Sequence, residues 1–368
     1  MIRIAFVIDT IEKPTAGTEK QLLLLLEHLD RTKFDPVLCI LRPSKWIDEK
    51  FNLCPVYILG LESFKQFRIF LSIWRFVRFL KSNNISVVYS FFKEGVRIGA
   101  VAGKIAKVKL NIVARRSQGY WMSAIDFRIT RFIYRYVDLV VVNSYNTKRW
   151  LSITEKIPSD KIKVVYNGLE LEKFNNVPIE VSERYRECMG IPLDKPVIGI
   201  VANLRPVKAH DVFLRAAQLV TKEVPETYFL IVGHGELLSP LKQLSRKLCI
   251  AEQVYFLGSR QDIPAILAMI DIGVLSSNSE SFSNAVIEYI AAGLTVVCTD
   301  VGGAREVVED GMNGYVVPPG DYVLMAERLI TLIHAKKSTE MRHANLQKAK
   351  DRFSLAKMVD QHEKIFQN

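Results

Sequence analysis

Short, unbroken apolar runs alternate with longer amphipathic stretches through this chain, and they do so in two separate series. Runs of Val, Ile and Leu without polar interruption suit strands buried on both faces. Such strands, joined by helices, form parallel sheets covered on each side. The first series places strands at residues 2–8, 37–41, 56–59, 87–90, 111–114, 139–143 and 162–165, with helices at 17–29, 67–81 and 95–106. Asn167-Gly168 then marks a turn, because both residue types accept a positive φ. A polar stretch, 169–196, containing Pro178, Pro192 and Pro196, reads as a connection. The second series places strands at 197–202, 228–232, 254–257, 272–276 and 295–299, with helix cores at 210–220, 237–247, 264–269 and 284–292. Helical segments at 322–335, 341–350 and 355–366 close the sequence. The expectation is an α/β protein with two doubly wound, Rossmann-like parallel-sheet domains. Open sheets of this kind bind ligands at the carboxyl ends of their strands, and two of them facing each other make a cleft.

Composition removes several other classes. The chain is 49% apolar and 24% charged, which is ordinary for a globular protein. Its five cysteines are scattered, with no Cys-x-x-Cys pair, which argues against a disulfide framework or a structural zinc site and favours a reducing, cytoplasmic setting. No apolar run approaches a spanning length, and the first eight residues are too short for a signal segment. No Gly-x-Gly-x-x-Gly follows either first strand, which disfavours a dinucleotide dehydrogenase. No Walker-type Gly-Lys-Ser/Thr is present, no Asp-x-Asp exists, and the six histidines show no metal-ligand spacing.

The residues able to carry chemistry cluster at strand-to-helix turns. The segment Ser279-Glu280-Ser281-Phe282-Ser283-Asn284-Ala285-Val286-Ile287-Glu288 follows a strand and enters a helix. Its two carboxylates stand 2.2 turns apart at 3.6 residues per turn, so they can reach different parts of one extended ligand. Between them the first amides of the helix, at Phe282, Ser283 and Asn284, lack intrahelical partners and form an anion site. The plainer alternative is a helix cap at Ser283 or Asn284 and a solvated Glu288. A second segment, Arg205-Pro206-Val207-Lys208, sets two cations three residues apart on a strand-to-helix loop, which suits a diphosphate. The plainer alternative there is a pair of surface bases. Gly17-Thr18, Gly233-His234-Gly235, Gly258-Ser259-Arg260 and Asp300-Val301-Gly302-Gly303 occupy equivalent turns, where a missing side chain permits close backbone approach.

Glu280 and Glu288 at this spacing, Arg205 with Lys208, Asn167-Gly168, and Asp300-Val301-Gly302-Gly303 with Glu306 resemble glycosyl transferase group 1. This family comprises retaining, nucleotide-sugar-dependent enzymes of the GT-B fold, similar to glycogen synthase. Asn203-Leu204-Arg205-Pro206-Val207-Lys208 and Asn143-Ser144 look closest to transferases of bacterial surface-polysaccharide assembly. The resemblance implies an acceptor-binding domain over 1–168, rejoined by a C-terminal helix at about 353–368, and a donor-binding domain over 169–352. It implies that Arg205 and Lys208 hold the donor diphosphate without a metal or other cofactor. Glu280 would contact the donor sugar, and Phe282, Ser283 and Asn284 its hydroxyls or phosphate. Glu288 would bond the ribose, Gly17 would admit the donor phosphate, and the loop Gly258–Arg260 would lie near the base. The implied reaction moves a sugar from a UDP- or GDP-linked donor to a glycan or lipid-linked acceptor. Many members carry a sugar-contacting histidine after the fourth first-domain strand. This sequence has Tyr89-Ser90-Phe91-Phe92-Lys93 there, so that imidazole is absent or replaced. An epimerase, a phosphorylase and a catalytically silent scaffold are the rival readings of the same fold.

The net charge of +11 is unevenly placed. Residues 1–170 hold 28 Lys and Arg against 15 Asp and Glu, while residues 171–368 hold 22 against 24. Such asymmetry points to an anionic partner. In the stretch 67–81, Phe70, Trp74, Val77 and Leu80 follow helical spacing beside Arg68, Arg75, Arg78 and Lys81. That stripe suits either an interfacial helix docking on an anionic membrane or a helix covering the sheet. Peripheral attachment to the inner face of the cell membrane is the expectation that follows from the first alternative. Nucleic acid is disfavoured, since no recognition motif accompanies the charge.

Overall fold

The structure, a computed structural model, describes residues 1–12, 14, 17–61, 68–117, 119, 123–335 and 339–367, with the backbone alone at Arg68 and Ile69. The chain forms two compact units, Met1–Gly168 with Leu355–Asn368, and Leu169–Ser354. In the first unit, β1 (Ile2–Ile8), β2 (Phe34–Ile40), β3 (Val56–Ile58), β4 (Val87–Ser90), β5 (Leu110–Arg115), β6 (Leu139–Val142) and β7 (Ile162–Val164) form one sheet in the order 3-2-1-4-5-6-7. In the second, β8 (Val197–Val201), β9 (Tyr228–Val232), β10 (Val254–Gly258), β11 (Ile272–Leu275), β12 (Thr295–Thr299) and β13 (Gly314–Val317) form a sheet in the order 10-9-8-11-12-13. All named pairings are parallel. Every strand of a sheet therefore ends on the same edge. The strand order reverses between β1 and β4 and between β8 and β11, and ligands of such sheets sit at those reversals.

Side-chain alternation along β1 explains both layers of the first unit. Ile4, Phe6 and Ile8 point into a core shared with Leu22 and Leu25 of the helix Gly17–His28 and with Met358 and Phe366 of the helix Leu355–Gln367. Ala5 and Val7 point the other way, against Phe76 and Leu80 of the helix Arg68–Ser82 and Ile98 of the helix Lys93–Ala106. The ring of Phe366 meets Phe6 and Phe34 edge-on at 6.0 and 5.9 Å. In the second unit, Phe213 and Ala217 of the helix His210–Glu223 and Met325 and Leu329 of the helix Tyr322–His334 cover the sheet through Ile198, Ile200 and Val297.

Two expectations need correction. Neither Asn167 nor Gly168 adopts a positive φ. Glycine is required at 168 by space instead, because a Cβ there would stand 2.8 Å from Met358 Cβ and 3.0 Å from Leu355 Cα. The stretch 169–196 is not a plain connection, for it contains the helices Glu172–Asn175 and Ile179–Cys188. Its anchor is polar: Arg186 is buried, donating to the carbonyls of Met269, Leu193 and Lys195 and to Asp271. A helix pinned by an arginine shows no apolar stripe. The strand β13 and the helix Ala124–Ile133 also escape the periodic reading. Gly314 opens β13, where a Cβ would meet Val296 O at 2.4 Å. The helix Ala124–Ile133 turns Ile125, Ile129 and Phe132 to solvent.

Candidate functional site

The carboxyl edge of the second sheet gathers the sequence-marked turns into one stitched surface. After β8 the chain forms a single 3-10 turn, Pro206–Lys208, entered from Arg205 in an extended conformation. Lys208 N donates to Arg205 O, so the two cations leave adjacent positions of one tight turn. Arg205 is exposed. Lys208 is not free in the same way. Its Nζ pairs with Glu280 Oε1, and Ser277 Oγ donates to the same oxygen at 2.9 Å. The side chains are 23% and 14% exposed. The loop after β11 is tied to the loop after β8 twice more, by Ser276 Oγ to Lys208 O at 2.9 Å and by Asn278 N to Val207 O at 2.8 Å. The sequence gives Lys208 and Glu280 separate tasks, whereas the structure makes them one ion pair.

The helix Asn284–Ala291 follows directly. Ser283 holds the N-cap position in an extended conformation, yet its side chain makes no capping bond. The plain capping role therefore does not describe Ser283. Phe282 turns its side chain inward, 5.8 Å from the ring of Phe353, so only its backbone faces the loop chemistry. Glu288 is buried, not solvated, on the second turn of the helix. Its neighbour Tyr289 locks the helix onto the sheet: the phenol accepts from Val201 N at 2.7 Å and donates to Val274 O at 3.2 Å. Gly273 makes room for that ring, since a Cβ would come within 2.5 Å of it. Sequence reasoning missed Tyr289, Ser276 and Ser277, because a buried phenol and two loop hydroxyls carry no spacing signal.

Glycines hold the remaining loops together. Gly233 has φ +148°, and a Cβ there would fall 1.9 Å from Ala202 O. Gly302 has φ +52°, with Glu280 O 2.4 Å from its Cβ position, and Gly303 N donates to Ser281 O. Gly258 has φ +67° and open space around it. Arg260 is committed locally, donating twice to Asp262, which also accepts from Tyr185. His234 is exposed. Beneath Lys208, His210 is buried and burial pushes its imidazole down to about 4, so it stays neutral.

Gly17 and Thr18 belong to the other unit, opening the helix that follows β1. At that unit's carboxyl edge Asp9 accepts from Gly95 N at 2.5 Å, and burial raises its carboxyl to about 6. Phe92, after β4, has φ +55° and ψ 173°, strained backbone for a bulky residue. Behind it Tyr89 meets His362 at 3.3 Å, and burial lowers that imidazole to about 3. Both His210 and His362 have folded pKa values below the unfolded value near 6.5, so the unfolded chain takes their protons first. Stability is full above about pH 6.5 and falls as pH drops towards 4. At pH 5 each histidine costs about 2 kcal/mol. Urea titrations at pH 7.5 and pH 5 check this: His362→Gln should flatten the acid loss, and an unchanged slope would disprove the assignment.

Two parallel-sheet units with these strand orders make the GT-B fold. The Glycosyl transferases group 1 family matches residues 181–352, and Glycosyltransferase Family 4 matches residues 15–173. Residues 181–352 belong to the group 1 glycosyl transferases. The chain is 31% identical over 216 residues to N-acetyl-alpha-D-glucosaminyl L-malate synthase of Bacillus anthracis, covering 57% of this chain and 54% of that protein. It spans about half of that relative's length. It is 23% identical over 362 residues to UDP-Gal:alpha-D-GlcNAc-diphosphoundecaprenol alpha-1,3-galactosyltransferase of Escherichia coli, covering 94% and 92%. The fold matches that of Anabaena Alr3699/HepE, solved in complex with UDP, with a TM-score of 0.88, 22% identity and full coverage of both chains.

Proposed function

We propose that this glycosyltransferase moves a sugar from a nucleotide-sugar donor to a glycan or lipid-linked acceptor, with retention and without a metal. The carrying observation is the Lys208–Glu280 pair beside exposed Arg205 at the entry of the helix Asn284–Ala291. On this reading Arg205 and Lys208 meet the diphosphate, the helix entry adds its dipole, and Glu280 holds Lys208 in place until the donor arrives. The departing phosphate takes the acceptor's proton. The UDP of the Anabaena protein and the UDP-galactose of the Escherichia coli relative favour a uridine donor over GDP. Both named relatives act on acceptors bearing anionic groups, malate in one and a lipid diphosphate in the other. An anionic acceptor suits the basic first unit. The test is nucleotide release from a panel of UDP-sugars, with and without acceptor and with EDTA. Turnover should survive EDTA; its loss would overturn the metal-free reading. Donor binding with no release at all would favour a silent scaffold.

A second part of the proposal concerns a lipid surface. Among the described residues no helix is long and apolar enough to cross a membrane. The stripe on the helix Arg68–Ser82 divides: Val77 and Leu80 are buried, while Phe70 and Trp74 are 67% and 57% exposed. Arg78 lies over the Trp74 ring at 5.8 Å. On the helix Ala124–Ile133, Ile125, Ile129 and Phe132 are exposed too, with Arg135 5.6 Å from the Phe132 ring. Aromatic rings flanked by arginines suit an anionic headgroup layer. Co-sedimentation at low salt should favour vesicles containing anionic lipid over neutral ones, and Trp74→Ala with Phe132→Ala should weaken it several-fold. Equal binding to both vesicle types would end this part of the proposal.

A further inference from the structure

Arginines that folding strips of water need partners, and two of this chain show how the protein settles such a charge. Arg115 pairs with Glu155 at 2.8 Å. Arg186 spends its guanidinium on several carbonyls and Asp271. Arg116 has no such arrangement. It follows β5 on the carboxyl edge of the first sheet, one strand from the β1–β4 reversal. Its Nη1 donates to the amide oxygen of Asn167, and its Nε is sealed from solvent with no partner. No Asp or Glu pairs with it among the described residues. The residue keeps part of its surface open.

The groups behind Arg116 are neutral. Tyr89 faces it, and burial raises that phenol to about 12, so it carries no charge. Tyr89 in turn meets His362 Nε2 at 3.3 Å, and His362 Nδ1 bonds Met358 O at 2.8 Å, which fixes a neutral tautomer with Nε2 as acceptor. The relay from Met358 through His362 and Tyr89 therefore orients Arg116 without supplying any negative charge. A partly desolvated cation without a counter-charge is expensive to keep, and a planar guanidinium is the preferred group for carboxylate and phosphate oxygens.

We propose that Arg116 anchors an anionic group of the acceptor, a phosphate, diphosphate or carboxylate, on the first unit. This deepens the glycosyltransferase reading and rests on it for the word acceptor. The anion-binding role itself does not need it. Asn167 and Tyr89 act as positioning residues that hold the fork, and the ligand's oxygens meet the part of it that stays open.

The test titrates the full chain with inorganic phosphate, pyrophosphate and malonate, read by calorimetry. Lys208→Ala serves as background, so that the basic turn of the second unit does not contribute. In that background at least one anion should bind saturably, and the preferred one names the chemical class. Adding Arg116→Gln should weaken it at least tenfold, while Arg116→Lys should weaken it less. Gln removes an unmatched charge, so the unliganded melting temperature should not fall. Equal anion affinity with and without Arg116→Gln overturns the proposal, as does the absence of saturable binding by all three anions. Nucleotide release by the wild-type chain is measured alongside. If it is absent, the transferase reading fails while the titration still decides the role of Arg116.

Discussion

Lys208→Ala should lower turnover of the nucleotide-sugar donor by about 10²–10³-fold, the usual scale for removing one group that meets developing charge on a leaving group. The size of the effect follows from two losses. The ammonium that would face the diphosphate disappears, and Glu280, which now shares Oε1 between Lys208 and Ser277, loses its cation. A carboxylate left in that place repels the phosphate. Glu280→Gln separates these contributions, for it retains the shape and removes the repulsion but loosens the hold on Lys208. The variant Lys208→Ala should lose kcat more than KM, since the interaction grows as the bond to the nucleotide breaks. A kcat within tenfold of wild type, in a chain with an unchanged circular dichroism spectrum, would remove Lys208 from the chemistry.

The second large effect is structural. Gly233→Ala should destabilise the second unit by about 3–5 kcal/mol and abolish thermal protection by UDP, because a backbone carbonyl cannot yield as a flexible side chain can. A Cβ at 233 meets Ala202 O at 1.9 Å and Ala202 C at 2.7 Å, on a backbone with φ +148° that L-residues avoid. The loop after β8 would have to lift away from the loop after β9, carrying Arg205 and Lys208 with it. Gly258→Ala is the matched control. It meets nothing within 4 Å and suffers only from φ +67°, so its cost is about 1–2 kcal/mol. Thermal unfolding of the two variants should differ clearly, and equal losses would contradict the close-approach argument.

Most strand positions are readable because those strands are apolar on both faces, as β1, β4, β9 and β12 show; β13, opened by Gly314, is not. The helix Ile179–Cys188 was not readable, because its buried contact is Arg186. At the candidate site, residue types at strand ends were enough to single out Arg205, Lys208, Glu280 and Glu288. What spacing does not carry is the direction of a side chain. Phe282 turns into the core against Phe353, Arg260 turns onto Asp262, and Lys208 turns onto Glu280 across 72 residues of sequence. Arg116 counts in the sequence only as one base of the positive first half, for the same reason. In the sequence it is one of two adjacent arginines, and only the fold shows that one is matched by an acid and the other is not.

The helix Leu355–Gln367 completes the first unit, where Phe366 closes over Phe6, Phe34 and Tyr89. All of Leu169–Ser354 lies between that helix and the sheet it covers. During synthesis, then, the strands of the first sheet wait with an open aromatic groove while the whole second unit is made. The window of vulnerability to aggregation opens with the first sheet and shuts only when residues 355–367 emerge.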